Sequence, residues 1–338
     1  MDSLVSIILP VYNGQKFLDS AIKSILSQSY ENLELIIIND ASTDKSSEII
    51  ENYSRIDQRV NVIDNEVNRN LPNCLNIGHS KARSEFLTWT SDDNILKPDF
   101  LKTMVDVIKN EPCDIVYSNY DIINEVGDFK RQQLCLPVSH ILFGNVIGAS
   151  FLYKRKVYEY LKGYDKDLHG VEDYDFWLRA SLSFTFYQIH DNLYKYRQHS
   201  DSLTKQLNTD LKKRKVFQEN NRKSIHNILN QLNFNQETKF LIHSLNVNEK
   251  IDLTFYRENF KAIQKDFLKF ENSLKTIGHL EKLESLNRKM RSSLLNDSRV
   301  LTLNDLLWFL KYQRGVFFSR YYSRKSTLYL LKLFFNRT

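Results

Sequence analysis

Two adjacent acids, Asp92 and Asp93, follow a short apolar run from Phe86 to Trp89. A buried strand that ends this way brings two carboxylates to the sheet edge where ligands of open α/β sheets bind. Neighbouring side chains of an extended chain point in opposite directions, so one acid can hold a metal while the other bonds a different group. Magnesium or manganese sites combine a few carboxylates with substrate phosphates. A solvated turn would show the same pair, so the rest of the chain must decide.

Acids stand at two further places where a ligand could meet them. Asp40 closes an apolar run from Leu33 to Ile38, and Glu172 and Asp173 open a helical pattern. Parallel strands all end on the same side of a sheet, so we expect Asp40 to share an edge with the first pair. The alternatives are an N-terminal cap for Asp40 and first-turn acids favoured by the helix dipole at residues 172 and 173.

Alternating strand and helix patterns must position these acids, and they predict βαβ units with a parallel sheet. We expect strands at Val5–Val11, Leu33–Ile38, Val60–Ile63, Phe86–Trp89, Asp114–Tyr117, Phe151–Tyr153, Phe184–Ile189 and Leu193–Arg197, the last two around a turn at Asp191 and Asn192. Helices are predicted around Phe17–Leu26, after Ser42–Asp44, and at Leu71–Ala82, Pro98–Asn110, Lys156–Leu161 and Glu172–Leu182. Neither a dinucleotide-binding GxGxxG nor a phosphate-binding P-loop motif occurs.

Turn-forming residues concentrate in the first half of the 338-residue chain. All five prolines lie at or before Pro137, and only Gly278 and Gly315 follow Gly170. The second half can therefore form long helices. We predict an α/β domain over residues 1–205 and a helical region over residues 206–338.

Charge and cysteine content restrict the class of protein. The segment from Trp308 to Thr338 holds seven Lys or Arg, ten aromatic residues and no acid, so the net charge of +6 becomes about −1 without it. No basic stripe elsewhere suggests nucleic-acid binding. Three cysteines without a CxxC pair indicate a reducing compartment. Without a secretion signal or a bilayer-spanning run, we expect a cytoplasmic protein, in solution or at the cytoplasmic face of the membrane.

Five motifs in a fixed order carry a family resemblance. They are Ser6–Asn13, Ile38–Asp44, Thr90–Asp93, the pair Gly163–Asp165 and Glu172–Arg179, and Tyr196–His199. Over roughly residues 4–204 the chain resembles inverting family 2 glycosyltransferases of the GT-A fold, of the type that builds bacterial polysaccharides. The resemblance implies a Rossmann-like, mostly parallel α/β domain followed by the helical C-terminal region.

The resemblance also implies roles for particular residues. The donor-binding residues would be Pro10, Val11, Tyr12, Asn13, Asp40 and Asp92, with Asp40 accepting from the nucleotide base. Asp93 and His199 would hold a Mg²⁺ or Mn²⁺ ion. Asp173 would be the general base, and Glu172 and Trp177 would lie on the acceptor side; Trp177 could equally be a core residue. The donor would be a UDP-hexose or UDP-N-acetylhexosamine, and the acceptor a hydroxyl of a glycan or lipid-linked glycan.

Three positions depart from the family pattern. Thr90 and Asn39 stand where the family has acids, and the helix from Leu71 to Gly78 lacks the Arg that contacts the diphosphate. Arg69, Lys81 and Arg83 are candidate substitutes for that Arg. The missing acid at position 90 motivates an alternative, a nucleotide-sugar-binding module without turnover in a polysaccharide-assembly complex, against which the intact Asp92, Asp93 and Asp173 argue. A nucleotidyltransferase would need a Gly-rich basic loop after the first strand, and Val11–Gly14 does not supply it.

The basic, aromatic tail from Trp308 to Thr338 allows three interpretations. Its helix could lie on an anionic membrane, pack against the helical region, or form an oligomer contact. The membrane contact is the one we expect.

Overall fold

The computed structural model describes residues 3–200, 202, 205, 209–276, 281–296, 301–319 and 322–334. They form two compact units. The first comprises Met1–Val138, Asn145–Ser224 and Lys275–Ile277, and the second Ser139–Gly144, Ile225–Leu274 and Gly278–Thr338. The first unit continues beyond residue 205, where we expected a boundary, because Ser224 donates a hydrogen bond to the buried Asp175 at 2.9 Å. The division at residue 205 stays a prediction.

A ten-stranded sheet in the order β10-β9-β6-β8-β4-β1-β2-β3 forms the centre of the first unit; β5 also pairs with β9, and β7 with β6. Its strands are β1 (Val5–Val11), β2 (Leu33–Asn39), β3 (Val60–Asp64), β4 (Phe86–Trp89), β5 (Ile95–Leu96), β6 (Ile115–Ile123), β7 (Phe129–Gln133), β8 (Phe151–Lys154), β9 (Thr185–Arg197) and β10 (Lys275–Thr276). The expected α/β fold with a helical C-terminal region is confirmed.

The four strands nearest the predicted donor residues are parallel. β1 pairs with both β2 and β4, and β2 pairs with β3. Strands β1 and β2 are almost wholly buried, as their continuous apolar sequences predict. Because all four strands run the same way, their carboxyl ends lie at one edge, with Asp40 and Asp92 just beyond them.

Helices connect these strands and pack on the sheet. They are α1 (Leu18–Leu26), α2 (Ser46–Ile56), α3 (Leu71–Lys81), α4 (Phe100–Asn110), α5 (Arg155–Leu161), α6 (Glu172–Ser181) and α7 (Leu211–Gln231), the last shared by the two units. Buried side chains of α1 and α4 join those of β1 and β2 in one core. The N-cap residue of α2 is Lys45, which makes no side-chain capping bond; just before it, Asp44 Oδ1 accepts from the Ser46 N–H at 2.9 Å.

One strand prediction is wrong. Residues 185–197 form the single strand β9 rather than two strands around a turn. In its pairing with β6, Ile189 lies opposite Ser118, and the next pair is Asn192 opposite Asn119. His190 and Asp191 are therefore left without a partner on β6. The polar pair that reads as a turn is thus part of a bulge, held where Asn119 donates to the His190 carbonyl at 2.6 Å. Strands β5, β7 and β10 also escape the sequence pattern.

The second unit is helical. It contains the end of α7 and the helices α8 (Gln236–Asn246), α9 (Leu253–Ser273), α10 (Glu284–Leu295), α11 (Leu303–Tyr312) and α12 (Arg324–Lys332). It also has 3-10 turns at Val138–Phe143 and Arg314–Val316, and the first residue of the former belongs to the first unit. Among the described residues, no helix has both the length and the apolar character to cross a bilayer. Within the predicted tail, Arg320, Tyr321 and residues 335–338 lie outside the described residues.

Candidate donor-binding cleft

A cleft of about 540 Å³ opens at the carboxyl ends of the parallel strands. This volume is within the range of small-molecule sites. Five of the six predicted donor-binding residues line it: Pro10, Val11, Tyr12, Asp40 and Asp92. The remaining lining residues are Asn68, Asn70, Leu71, Cys74, Thr90, Ser91, His169 and Lys213. The cleft therefore brings together the ends of β1, β2 and β4 with the start of α3 and two residues from later in the chain.

Asp40 anchors the loop that forms one wall of the cleft. Its side chain is 3% exposed. Oδ1 accepts hydrogen bonds from the Asn65 amide and the Arg69 N–H, each at 2.8 Å, and Oδ2 accepts from the Asn70 N–H at 3.0 Å. A carboxylate offers about four acceptor positions. Asp40 thus braces the start of α3, rather than α2, and keeps acceptor capacity on Oδ2 for a ligand N–H.

Asn13, the sixth predicted donor residue, does not line the cleft. Its backbone is left-handed, with φ at 56°. Its Oδ1 accepts from the Thr43 N–H at 2.8 Å, and its own N–H donates to the Ser42 hydroxyl at 3.1 Å. The Asn13 side chain therefore ties the loop after β1 to the loop after β2, and positions Tyr12 rather than contacting the cleft itself.

Asn39 connects the end of β2 to the loop that follows it, to α2 and to the end of β3. These contacts explain one departure from the family pattern. Its Nδ2 donates to the Asp64 carboxylate at 2.8 Å and to the Ser47 hydroxyl at 2.9 Å, while its Oδ1 accepts from the Ser42 N–H at 3.2 Å. An acid at this buried position could not donate to Asp64 and would set a like charge against it. The amide is the residue type that this neighbourhood requires.

Asp92 lies where β4 meets the start of α1. A methyl group added to Gly14 would come within 2.1 Å of Asp92 Oδ2, so the absent side chain of this glycine makes room for the carboxylate. Burial, aided by the neighbouring Asp93 charge, raises the pKa of Asp92 to about 7, although a hydrogen bond with the Tyr12 main chain opposes the rise.

Asp93 and His199, the two residues expected to hold a metal, lie in contact. His199 Nε2 lies 3.0 Å from Asp93 Oδ2, and the imidazole packs edge-on against Phe17 at 4.8 Å between ring centres. Arg197 donates to the Asp93 carbonyl at 2.9 Å and so fixes the main chain there. Asp93 Oδ1 is buried, and no described residue donates a hydrogen bond to it. A buried carboxylate oxygen in that state fits a cation.

The metal-ligand set is small. In the described part of the chain, no group of three or more His, Cys, Asp or Glu side chains is placed to hold an ion. Thr90 does not enlarge it, because its hydroxyl is 2.6 Å from that of Tyr194. One carboxylate and one imidazole suit an ion such as Mg²⁺ or Mn²⁺ that takes its other ligands from phosphates and water.

Asp173 occupies the first turn of α6. Its Oδ2 accepts from the Asn145 amide at 2.8 Å. Burial raises the pKa of Asp173 to about 6, against the opposing effects of the Tyr174 N–H and Asn145. Burial, and then the charge of Asp173, raises the pKa of Glu172 further still. Burial therefore favours the protonated form of both carboxyls, and it does so more strongly for Glu172 than for Asp173.

Trp177 belongs to the buried core. Its side chain is fully buried and packs edge-on against Phe151 at 4.8 Å and Phe176 at 5.1 Å. The acceptor-side role predicted for Trp177 is wrong for a direct contact, because the ring has no surface to offer. Glu172, 3% exposed, accepts from the Gly170 N–H at 2.6 Å, which shapes the turn before α6.

Two of the proposed substitutes for the family Arg lie in the wrong place. Arg83 pairs at 2.8 Å with Glu34 near the start of β2, which is the edge of the sheet opposite the cleft. Lys81 ends α3, whose first residues line the cleft, so about ten residues of helix, or roughly 15 Å, separate it from them. Arg69 contributes its main chain, which donates to Asp40.

His169 and Lys213 line the cleft, and sequence reasoning missed both. His169 lies three residues before α6, so the segment leading to Asp173 reaches the cleft. The His169 carbonyl accepts from Asn220 on α7 at 3.0 Å, which ties this segment to the helix that carries Lys213. No local pattern marks either residue, because the fold alone brings them to the strand ends.

The sequence of the first unit is similar to known proteins. The family model described as "Glycosyl transferase family 2" matches residues 6–175. An uncharacterized glycosyltransferase of Haemophilus influenzae is 29% identical over 225 residues, which cover 61% of this chain and 68% of the relative.

Two solved structures share the fold at low sequence identity. S. aureus TarS 1–349 in complex with UDP-GlcNAc has a TM-score of 0.59 at 16% identity, covering 86% of this chain and 85% of TarS. Mannosyltransferase PcManGT from Pyrobaculum calidifontis, in complex with GDP-Man and Mn²⁺, has a TM-score of 0.50 at 14% identity, covering 97% and 85%.

Proposed function

Because this chain belongs to glycosyl transferase family 2, we propose that it moves a hexose or N-acetylhexosamine from a UDP-sugar to a hydroxyl of a glycan or lipid-linked glycan. One observation carries the proposal: a single cleft at the strand ends is lined by the Pro10–Tyr12 segment, Asp40 and Asp92. TarS, solved with UDP-GlcNAc, supports the choice of donor.

The cleft suits each part of such a donor. Oδ2 of Asp40 can accept the imide N–H of uracil, since a carboxylate is a pure acceptor. Tyr12, with 53% of its surface exposed at the mouth of the cleft, can pack on the base or ribose. Lys213 supplies a cationic side chain that can contact a phosphate. Two carboxylates lining a cleft would otherwise repel a diphosphate.

Asp93 and His199 would hold a divalent cation, and its charge would stabilise the departing nucleoside diphosphate. The buried Oδ1 of Asp93 and the 3.0 Å contact of its Oδ2 with His199 support this assignment. PcManGT, solved with Mn²⁺, offers a parallel in a protein of the same fold. Arg197 keeps Asp93 in place through the main chain.

Asp173 would act as the general base. It removes the proton of the acceptor hydroxyl as that oxygen forms a bond to C1 of the sugar, and the C1–O bond to the diphosphate breaks. Attack on the face opposite the leaving group inverts the anomeric carbon, as in inverting glycosidases. A raised pKa suits this task, because a base works best when its pKa is near the working pH.

A thermal-shift and turnover screen of nucleotide-sugars with Mn²⁺, Mg²⁺ or a chelator tests the proposal. We expect a UDP-sugar with metal to raise the melting temperature, and the chelator to abolish the rise. Asp93→Ala should lose the metal-dependent part, whereas Asp106→Ala, which changes an exposed acid on α4, should not. Equal shifts with and without metal would contradict the metal assignment, and no shift with any UDP-sugar would contradict the donor class.

A further inference from the structure

The helix α11 is apolar on two sides. Leu306 and Phe309 are buried on one side. On the other, Leu303, Leu307 and Leu310 are 51%, 56% and 36% exposed. Their spacing of four and three residues places these three leucines on one stripe of the helix. We call Leu303, Leu307, Leu310 and Phe318, which is 59% exposed shortly after the helix, the α11 face.

Exposed apolar side chains are ordinary when they are scattered singly. Three leucines in one row are different, because a water-facing helix side normally carries polar residues. Internal packing therefore explains only part of the apolar tail. It accounts for Phe317 and Leu330, which are fully buried, and leaves the α11 face without a described apolar partner that would cover it.

The charged residues that follow the α11 face along the chain are all basic. Lys311 and Arg314 follow its last leucine and are exposed. The nearest acid in the sequence, Asp305, is 7% exposed and pairs with Arg257 at 2.6 Å, besides closing a capping box with Thr302. Its charge is therefore neutralised inside the unit. The sequence has no acid after Asp305, and exposed Arg and Lys side chains recur on α12.

We propose that the α11 face, with Lys311 and Arg314, is a docking surface for an anionic lipid bilayer. Apolar side chains flanked by basic residues fit the boundary between acyl chains and anionic headgroups. A second copy of the chain fits less well. It would set like charges against each other, and four apolar side chains fall short of the about 20–30 residues that each side of a stable interface usually contributes.

Vesicle sedimentation with the full chain tests this surface. The wild type should bind vesicles of equal parts phosphatidylcholine and phosphatidylglycerol, and bind phosphatidylcholine alone at least tenfold more weakly. Lys311→Gln with Arg314→Gln should lower the partition coefficient for the mixed vesicles about 30-fold, since each basic residue near such a surface contributes about fivefold. Raising the salt concentration should weaken wild-type binding, because it screens this attraction.

Matched variants separate the surface from general effects. Leu303→Gln, Leu307→Gln and Leu310→Gln together should reduce binding to the level of phosphatidylcholine alone. The exposed lysines of α4, changed as Lys102→Gln with Lys109→Gln, should leave binding unchanged. Because all the changed residues are exposed, circular dichroism should show an unaltered fold; should the leucine variant unfold, the charge variant still decides.

Three results would overturn the proposal. The first is equal binding to neutral and anionic vesicles, or none to either. The second is equal loss of binding in the α4 control. The third is a wild-type oligomer, seen by light scattering, that the leucine variant dissociates while vesicle binding stays the same, which would make the α11 face a contact between copies.

Discussion

Replacing Asn145 should change the pH dependence of transfer. The Asn145 amide donates to Asp173 Oδ2 and so favours the charged form of the proposed base. A hydrogen bond to a charged group contributes about 1.5–3 kcal/mol in a closed site. Asn145 is exposed, so water can replace part of the contact, and we expect this hydrogen bond to contribute about 1 kcal/mol. One pKa unit corresponds to about 1.4 kcal/mol, so the pKa of Asp173 should rise by roughly 0.7 unit.

The sign of the effect follows from the role of the base. Asp173 must be deprotonated to act, so kcat/KM falls as the pH drops through its pKa, which is about 6 in the wild type. In Asn145→Ala the acidic limb should move to higher pH. Near pH 5 the variant should lose roughly fivefold more activity than it loses near pH 8. Profiles of kcat/KM from pH 5 to 9 measure this difference.

A second variant removes an ambiguity, because Asn145 Oδ1 also accepts from the main chain at Ile147 and Gly148 and shapes the turn. Asn145→Asp keeps those acceptors and sets a like charge against the base, so its acidic limb should move further than that of the alanine variant. Asn61→Ala, which changes an exposed amide on β3, is the control. A loss of activity that is uniform across pH in both Asn145 variants would show that Asn145 does not control the protonation of the base.

Three further variants test the cleft. Asn39→Asp puts a carboxylate opposite the acid that ends β3. It should lower the free energy of unfolding, measured by urea denaturation, by about 1–3 kcal/mol at pH 7. The decrease should be smaller at pH 4. Gly14→Ala directs a methyl into the carboxylate that follows β4, and should raise the donor KM at least tenfold; an unchanged KM would show that this acid can move freely. Lys213→Gln should raise the same KM about tenfold or more, whereas Lys212→Gln should not, and equal effects would remove the phosphate role.

The sequence predicts the sheet edge well because its cause is local. The apolar runs of β1, β2 and β4 are long enough to be read as buried strands, and parallel pairing then brings their ends together. Asp40 and Asp92 could therefore be placed at one cleft before any coordinates were known. The contact between Asp93 and His199 needed the family resemblance, since 106 residues separate them.

The remaining parts of the site depend on tertiary contacts that leave no local pattern. Thr90 bonds Tyr194, 104 residues away, and this contact cannot be inferred from either segment alone. Lys213 reaches the cleft because α7 folds against the segment before α6. The bulge of β9 misled the turn prediction, because unpaired polar residues look the same in a bulge and in a turn.

In the proposed function, Asp173 is the base of a sugar transfer from a nucleotide bound in the cleft. Transfer rates and donor-induced thermal shifts of Asp173→Asn test it most directly, with the exposed Asp167→Asn as the control. We expect an unchanged thermal shift and a transfer rate that falls by about 10²–10⁴, the usual contribution of a general base. A turnover rate near that of the wild type, with donor binding intact, would contradict the account.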